Sequence, residues 1–178
     1  DIRDNPNFPI EGVSANVSTS IGVGTDFRNP ETNTQASYAY VPLEFGVRTY
    51  VQLQDIFPEV QNPNHVFAFK VNFGHQFGGD YPRNRYFSVG DSQLNDKLIR
   101  GFDSDDTNLS RTYGIGTVEY RYDFGLDTFA TETVIALVFT DVGWVSSMPG
   151  FDDYGTPIIA GAGLGVQLNL NIAGIGLP

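Results

Sequence analysis

Thr117-Val118-Glu119-Tyr120-Arg121-Tyr122-Asp123-Phe124 alternates without a fault. Val118, Tyr120, Tyr122 and Phe124 fall on one face of an extended chain, and Thr117, Glu119, Arg121 and Asp123 on the other. Successive side chains of a strand point to opposite faces, so this period of two makes a ribbon with one apolar and one polar side. Working outward, the same period recurs. From Gly12 to Gly24 the odd positions carry Val13, Ala15, Val17, Ile21 and Val23, and the even ones Ser, Asn and Gly. Residues 37–53 set Val41, Leu43, Phe45, Val47 and Val51 against Glu44, Arg48, Tyr50 and Gln52. Residues 65–77 set four phenylalanines and Val71 against Lys70, Asn72 and Gln76. Two more strands are expected over 133–145 and 158–170, with a further one begun after a turn near Asn171-Ile172. Residues 1–11, rich in Asn and Pro, read as a loop, and so does the stretch from Gly79 to Thr112. No helical period of 3.6 persists.

An all-β, antiparallel chain of this kind is a soluble sandwich or a transmembrane barrel. Strand length separates them. Soluble strands usually have about 5–6 residues; these have about twice that, near the roughly 9–11 that cross a bilayer at a tilt. The polar face is rich in Gly, Ser, Asn and Gln, which suits a lumen better than a solvated surface. Trp144, Tyr50, Tyr120 and Tyr122 are expected in interfacial girdles. Connections alternate between longer and shorter, as in outer-membrane barrels. Six strands and a stub cannot close a barrel in lipid, where an open edge strands backbone donors. The expected fold is therefore an antiparallel transmembrane β-barrel, seen as an arc of about 6–7 strands of a larger one.

Composition narrows the function. A net charge of −11 argues against a nucleic-acid partner, which needs a basic face. There is no cysteine, hence no disulfide framework and no thiolate metal site. His65 and His75, ten residues apart on one strand, are too distant to share an ion. Asp103, Asp105 and Asp106 miss the spacing of a calcium loop, because Asn108 and Gly114 stand where it needs Gly and Glu. Gly161-x-Gly163-x-Gly165 precedes no helix, so it is not a nucleotide loop; small residues there leave room for something inside the wall. No G-x-S-x-G occurs. No catalysis, cofactor or metal is expected.

The long break at 79–112 contains Lys97-Leu98-Ile99-Arg100-Gly101-Phe102. Charges within membrane segments are rare and need partners. Two carboxylates lie on the polar faces of the following strands, Glu119 and Asp141. An arginine can bind carboxylate as a planar fork, which lysine cannot copy. Gly101 permits a tight backbone.

Ile99-Arg100-Gly101-Phe102 in such a loop resembles the (V/I)RG(F/Y) signature of the BamA-type outer-membrane protein assembly factor superfamily, the bacterial surface antigen barrels. Phe87-Ser88-Val89-Gly90 is similar to the lead-in of that loop, with Gly90 in the glycine position and Asp91 where many members carry a second glycine. Gly116-Thr117-Val118-Glu119-Tyr120-Arg121 resembles the strand after it, Phe139-Thr140-Asp141-Val142-Gly143 the F-x-D-x-G strand, and 161–165 the glycine-rich strand near the C-terminus. The order matches from about Tyr86 to Pro178; upstream only the strand pattern does.

The resemblance implies a barrel of about 16 strands, with 1–178 a part of it, and periplasmic POTRA domains before this segment, absent from this chain. It implies that the loop folds into the lumen and that Arg100 is held by Glu119 and Asp141, with Phe139, Gly143 and Gly90 in support and Phe102 wedged against the wall. It further implies assembly or translocation of client outer-membrane proteins in the outer membrane of a Gram-negative-type bacterium. Lipid or lipopolysaccharide would surround the barrel, and accessory lipoproteins would attend it. A two-partner-secretion transporter or a phospholipase-fused barrel is the second reading within the superfamily; a passive porin-like channel and a soluble β-sandwich binding module stand outside it.

Overall fold

A computed structural model describes residues 2–3, 10–28, 35–79, 82, 85–90, 97, 99–101, 108–125, 131–146, 158–172 and 175–177. These form β1 (Ile2–Arg3), β2 (Gly12–Thr19), β3 (Gly22–Arg28), β4 (Gln35–Gln52), a single-turn helix α1 (Leu53–Ile56), β5 (His65–Gly78), β6 (Phe87–Val89), β7 (Asn108–Ser110), β8 (Thr112–Asp123), β9 (Thr131–Val145), β10 (Ile158–Ile172) and β11 (Ile175–Leu177). Nine strands make one antiparallel sheet in the order β1-β2-β4-β5-β8-β9-β10-β11, with β3 also on β4. Each full strand pairs with its sequence neighbour, the meander of an up-and-down wall.

Register explains which side is which. Paired residues share a face, and the odd positions of β2, β4 and β5 continue into the even positions of β8, β9 and β10. That continuous outer face carries Val17, Phe45, Phe73, Val118, Val138, Val142, Leu164 and Val166, all exposed. No second sheet covers it among the described residues. Val134 and Trp144 lie about ten residues apart along β9; at ~3.3 Å per residue and a tilt of roughly 40°, they mark a band about 25 Å tall. Near one edge of the band His65, Phe67, Tyr120, Tyr122 and Phe124 form an aromatic group, in which the His65 ring nitrogen meets the Tyr120 hydroxyl at 2.5 Å. Near the other, His75 bonds Thr112 at 2.7 Å and stands edge-on to Phe77.

The structure departs from the sequence expectations at definite places. Residues 2–3 are not loop; they pair with Val13 and Gly12. The strand expected over 12–24 breaks at Ser20-Ile21, although the pairing on either side keeps one register, Thr19 with Leu43 and Gly22 with Tyr40. The residue opposite Ser20 in that register is Pro42. Proline has no N–H to give the ladder, so the strand opens there. Asn171 and Ile172, near which a turn is expected, are still strand and pair with Gly176 and Ile175. The stretch 79–112 contains its own two-stranded sheet, β6 with β7. Tyr50 is not in a girdle: it lies on the inner face, 9% exposed, with the Arg121 guanidinium 5.5 Å above its ring.

An arginine at Leu164, on the outer face near mid-band, is expected to destabilise the protein in lipid by about 2–4 kcal/mol. Equilibrium unfolding in urea from phospholipid vesicles measures it. Were that face solvated, Leu164→Arg would be neutral.

Candidate functional site

The inner face is polar low on the wall and apolar higher up. Tyr113, Ile115, Val145 and Ile159 sit in the upper part and would meet water in an empty lumen. They are covered instead by Phe87, Val89 and Ile99 of the 79–112 loop, and together these residues form one buried cluster. The Phe87 ring stands edge-on to Tyr113, with centroids 4.9 Å apart. Ile99 is fully buried, which stabilises the docked loop by roughly 1.5–3 kcal/mol. At its base the loop is tied by Ser110, whose hydroxyl reaches the Thr112 and Ser146 carbonyls.

Docking this close needs missing side chains. A Cβ on Gly143 would collide with the Ile99 side chain, and one on Gly161 with the backbone carbonyl of Arg100. Gly163 serves differently, because its vacant side-chain space is filled by the Phe139 ring of the neighbouring strand, and Gly165 likewise admits Leu137. Within the loop, Gly90 adopts φ 137°, its N–H donates to the Lys97 carbonyl at 3.2 Å, and its carbonyl accepts the Ile99 N–H at 3.1 Å. Gly101 follows at φ 86°, a conformation that side chains resist.

These constraints deliver Arg100 to the wall. Its Nε and Nη2 donate to the two oxygens of Asp141, at 2.9 and 3.0 Å, and its backbone N–H adds a third bond to Asp141 at 3.0 Å. Nη1 donates to Glu119 at 2.5 Å. The guanidinium carbon lies 3.5 Å from the Phe139 ring centroid, a cation–π contact. Glu119 pairs across the sheet with Phe139, while Asp141 pairs with Thr117. The two carboxylates are thus diagonal neighbours on adjacent strands, and one planar cation fits between them over an aromatic floor. Asp141 is 1% exposed and Glu119 7%. Glu119 also accepts Arg121 Nε at 2.5 Å, so it is shared between two arginines. Burial alone would lower the Arg100 pKa; hydrogen bonds and charge from Asp141 and Glu119 outweigh it and hold the pKa above the ordinary arginine value.

Beside the pair lies a cavity of about 310 Å³, lined by Arg48, Tyr50, Lys70 and Arg121 together with the latch residues. Sequence reading brought Ile99, Arg100, Gly101, Glu119, Asp141, Phe139, Gly143 and Gly90 forward, and all lie in this one region. Phe102 and the acidic run Asp103, Asp105 and Asp106 lie outside the described residues. Sequence reading missed Lys97, which pairs with Glu44 at 2.8 Å. The only signal available was Glu44 itself, the one carboxylate on the polar face of residues 37–53.

An antiparallel meander with an apolar outer face, and a loop cation held by acids on its other face, is the arrangement of an arc of a membrane β-barrel. The match to the Omp85 superfamily domain runs over residues 1–177, and the chain belongs to that superfamily. Its members are outer-membrane proteins concerned with insertion or translocation of other proteins. No curated protein shows a significant sequence match to the chain.

Substituting Gly161 by Ala is expected to force the loop off β10 and lower stability by about 1–3 kcal/mol. Gly116→Ala, on the outer face with open space around it, is the silent control. Urea midpoints of the two variants in vesicles check the contrast.

Proposed function

We propose that this chain forms part of the wall of a BamA-type barrel that inserts or translocates client outer-membrane proteins, with the 79–112 loop latched inside it. The observation that carries the reading is the Arg100 guanidinium divided between Asp141 and Glu119 on adjacent strands. A loop pinned by a nearly buried ion pair suits a wall that must keep its shape while handling a client. The role is mechanical, not enzymatic. The expected partners are client barrel proteins, the surrounding lipid or lipopolysaccharide of a Gram-negative-type outer membrane, and accessory lipoproteins; POTRA domains are the expected periplasmic companions.

Breaking a buried pair by removing one partner costs about 3–5 kcal/mol, less where lumen water reaches it. Arg100→Ala and Asp141→Ala in the full-length protein are therefore expected to reduce client assembly severalfold, scored as the folded fraction of client barrels in the outer membrane. Arg100→Lys should not restore it, because a point charge cannot reproduce the fork. Normal assembly in both alanine variants would overturn the proposal, and steady ion conductance with normal assembly would indicate a passive channel. POTRA sequence found upstream would favour the assembly reading over the phospholipase-fused one.

A further inference from the structure

Arg100 is not the loop's only charged tie to the wall. Three residues earlier, Lys97 Nζ lies 2.8 Å from Glu44 Oε2 on β4, which β5 and β8 separate from the Asp141 strand β9. The pair is built into its surroundings. The Tyr113 hydroxyl donates to the same Glu44 oxygen at 2.7 Å. The Lys97 ammonium lies 5.1 Å from the Phe87 ring centroid and 5.6 Å from that of Tyr113, within cation–π range of both. Gly74, paired opposite Tyr113, leaves the space that the tyrosine ring occupies on its way to Glu44. Lys97 and Glu44 are both largely shielded, at 16% and 28% side-chain exposure.

We propose that Lys97 is a second anchor, and that the loop is a brace fixed at two charged points, Glu44 on β4 and the Asp141–Glu119 pair on β9 and β8. Between and beside these points the loop touches every intervening strand. Gln76 on β5 donates to the Arg85 carbonyl at 2.7 Å, Ile99 packs over Gly143 on β9, and the Arg100 carbonyl rests over Gly161 on β10. The span from β4 to β10 is thereby held at one curvature. The two anchors are linked through three residues of backbone clamped on Gly90, since Lys97 gives its carbonyl and Ile99 its N–H to that glycine. Lys97 is a positioning residue: it sets where along the wall Arg100 arrives. The inference shares with the latch reading the premise that the loop lies inside the wall, and it adds a residue pair that the latch does not use.

Hydrogen exchange of the intact protein in vesicles, read on the Ile99 and Arg100 amides, tests it. Lys97→Met and Glu44→Gln keep side-chain size and remove the charge. Each is expected to speed exchange at Ile99 by about tenfold, the scale of one charge-assisted hydrogen bond. The double variant should exchange no faster than the worse single one, because both remove the same interaction. Lys97→Arg, which keeps the charge and the aromatic contact, should retain most of the protection. Unchanged exchange in the single variants, additive effects in the double, or equal loss in Lys97→Arg and Lys97→Met would overturn the second anchor. None of these outcomes depends on client assembly in Arg100→Ala, so the two proposals fail separately.

Discussion

A carboxylate at 1% exposure inside a barrel wall must have a cation, and Asp141 has one only because a loop brings it. Isolated charge in a shielded site is far more expensive than any single contact in this protein. The choice of arginine follows from geometry. Asp141 takes two parallel bonds from one guanidinium, Glu119 takes a third from its remaining edge, and the flat face is left for Phe139. An ammonium is round and would satisfy only one carboxylate at a time. The surrounding glycines then become intelligible, because the fork reaches both acids only if the loop backbone sits almost on the sheet. Gly143 and Gly161 are the two places where it does.

The same interaction disciplines the register. Side chains of a strand alternate with a period of two, so a slip of β9 by one residue against β8 would turn Asp141 toward lipid and Thr140 or Val142 toward Arg100. Outer-face patterning alone penalises such a slip in proportion to the apolar area misplaced. The latch adds the desolvation of a carboxylate facing hydrocarbon, which is larger. Glu44 provides the same protection on β4, where Pro42 already weakens the ladder two residues away.

The wall was legible in the sequence because one physical rule, alternation across a two-faced sheet, governs every full strand. Faces, strand number and the inward positions of Glu119 and Asp141 all follow from parity. What parity does not carry was not legible. Ile2 and Arg3 pair too briefly to show a period. The break at Ser20-Ile21 is caused by a proline on the neighbouring strand, which a reading of one strand at a time cannot see. Tyr50 has the composition of a girdle residue, but its parity places it inside beneath Arg121. Lys97 drew no assignment of its own because its partner Glu44 lies more than fifty residues away in sequence. The family resemblance pointed to Arg100, its two acids, Phe139, Gly143 and Gly90, and geometry was needed to show that Gly161 serves the loop while Gly163 serves Phe139.

The apolar cluster decides what the ion pair is for. Phe87, Val89 and Ile99 cover Tyr113, Ile115, Val145 and Ile159, and several buried side chains at roughly 1.5–3 kcal/mol each outweigh one partly wet ion pair. Retention of the loop in the lumen is thus chiefly hydrophobic and nondirectional. Gly143 and Gly161 let the loop sit close, but dispersion and burial carry no directional preference for one orientation of the chain there. A bidentate fork with a third bond to a second strand does carry one. Apolar burial keeps the loop inside, and charge fixes its position; loss of Arg100 is therefore a loss of alignment and not an ejection of the loop.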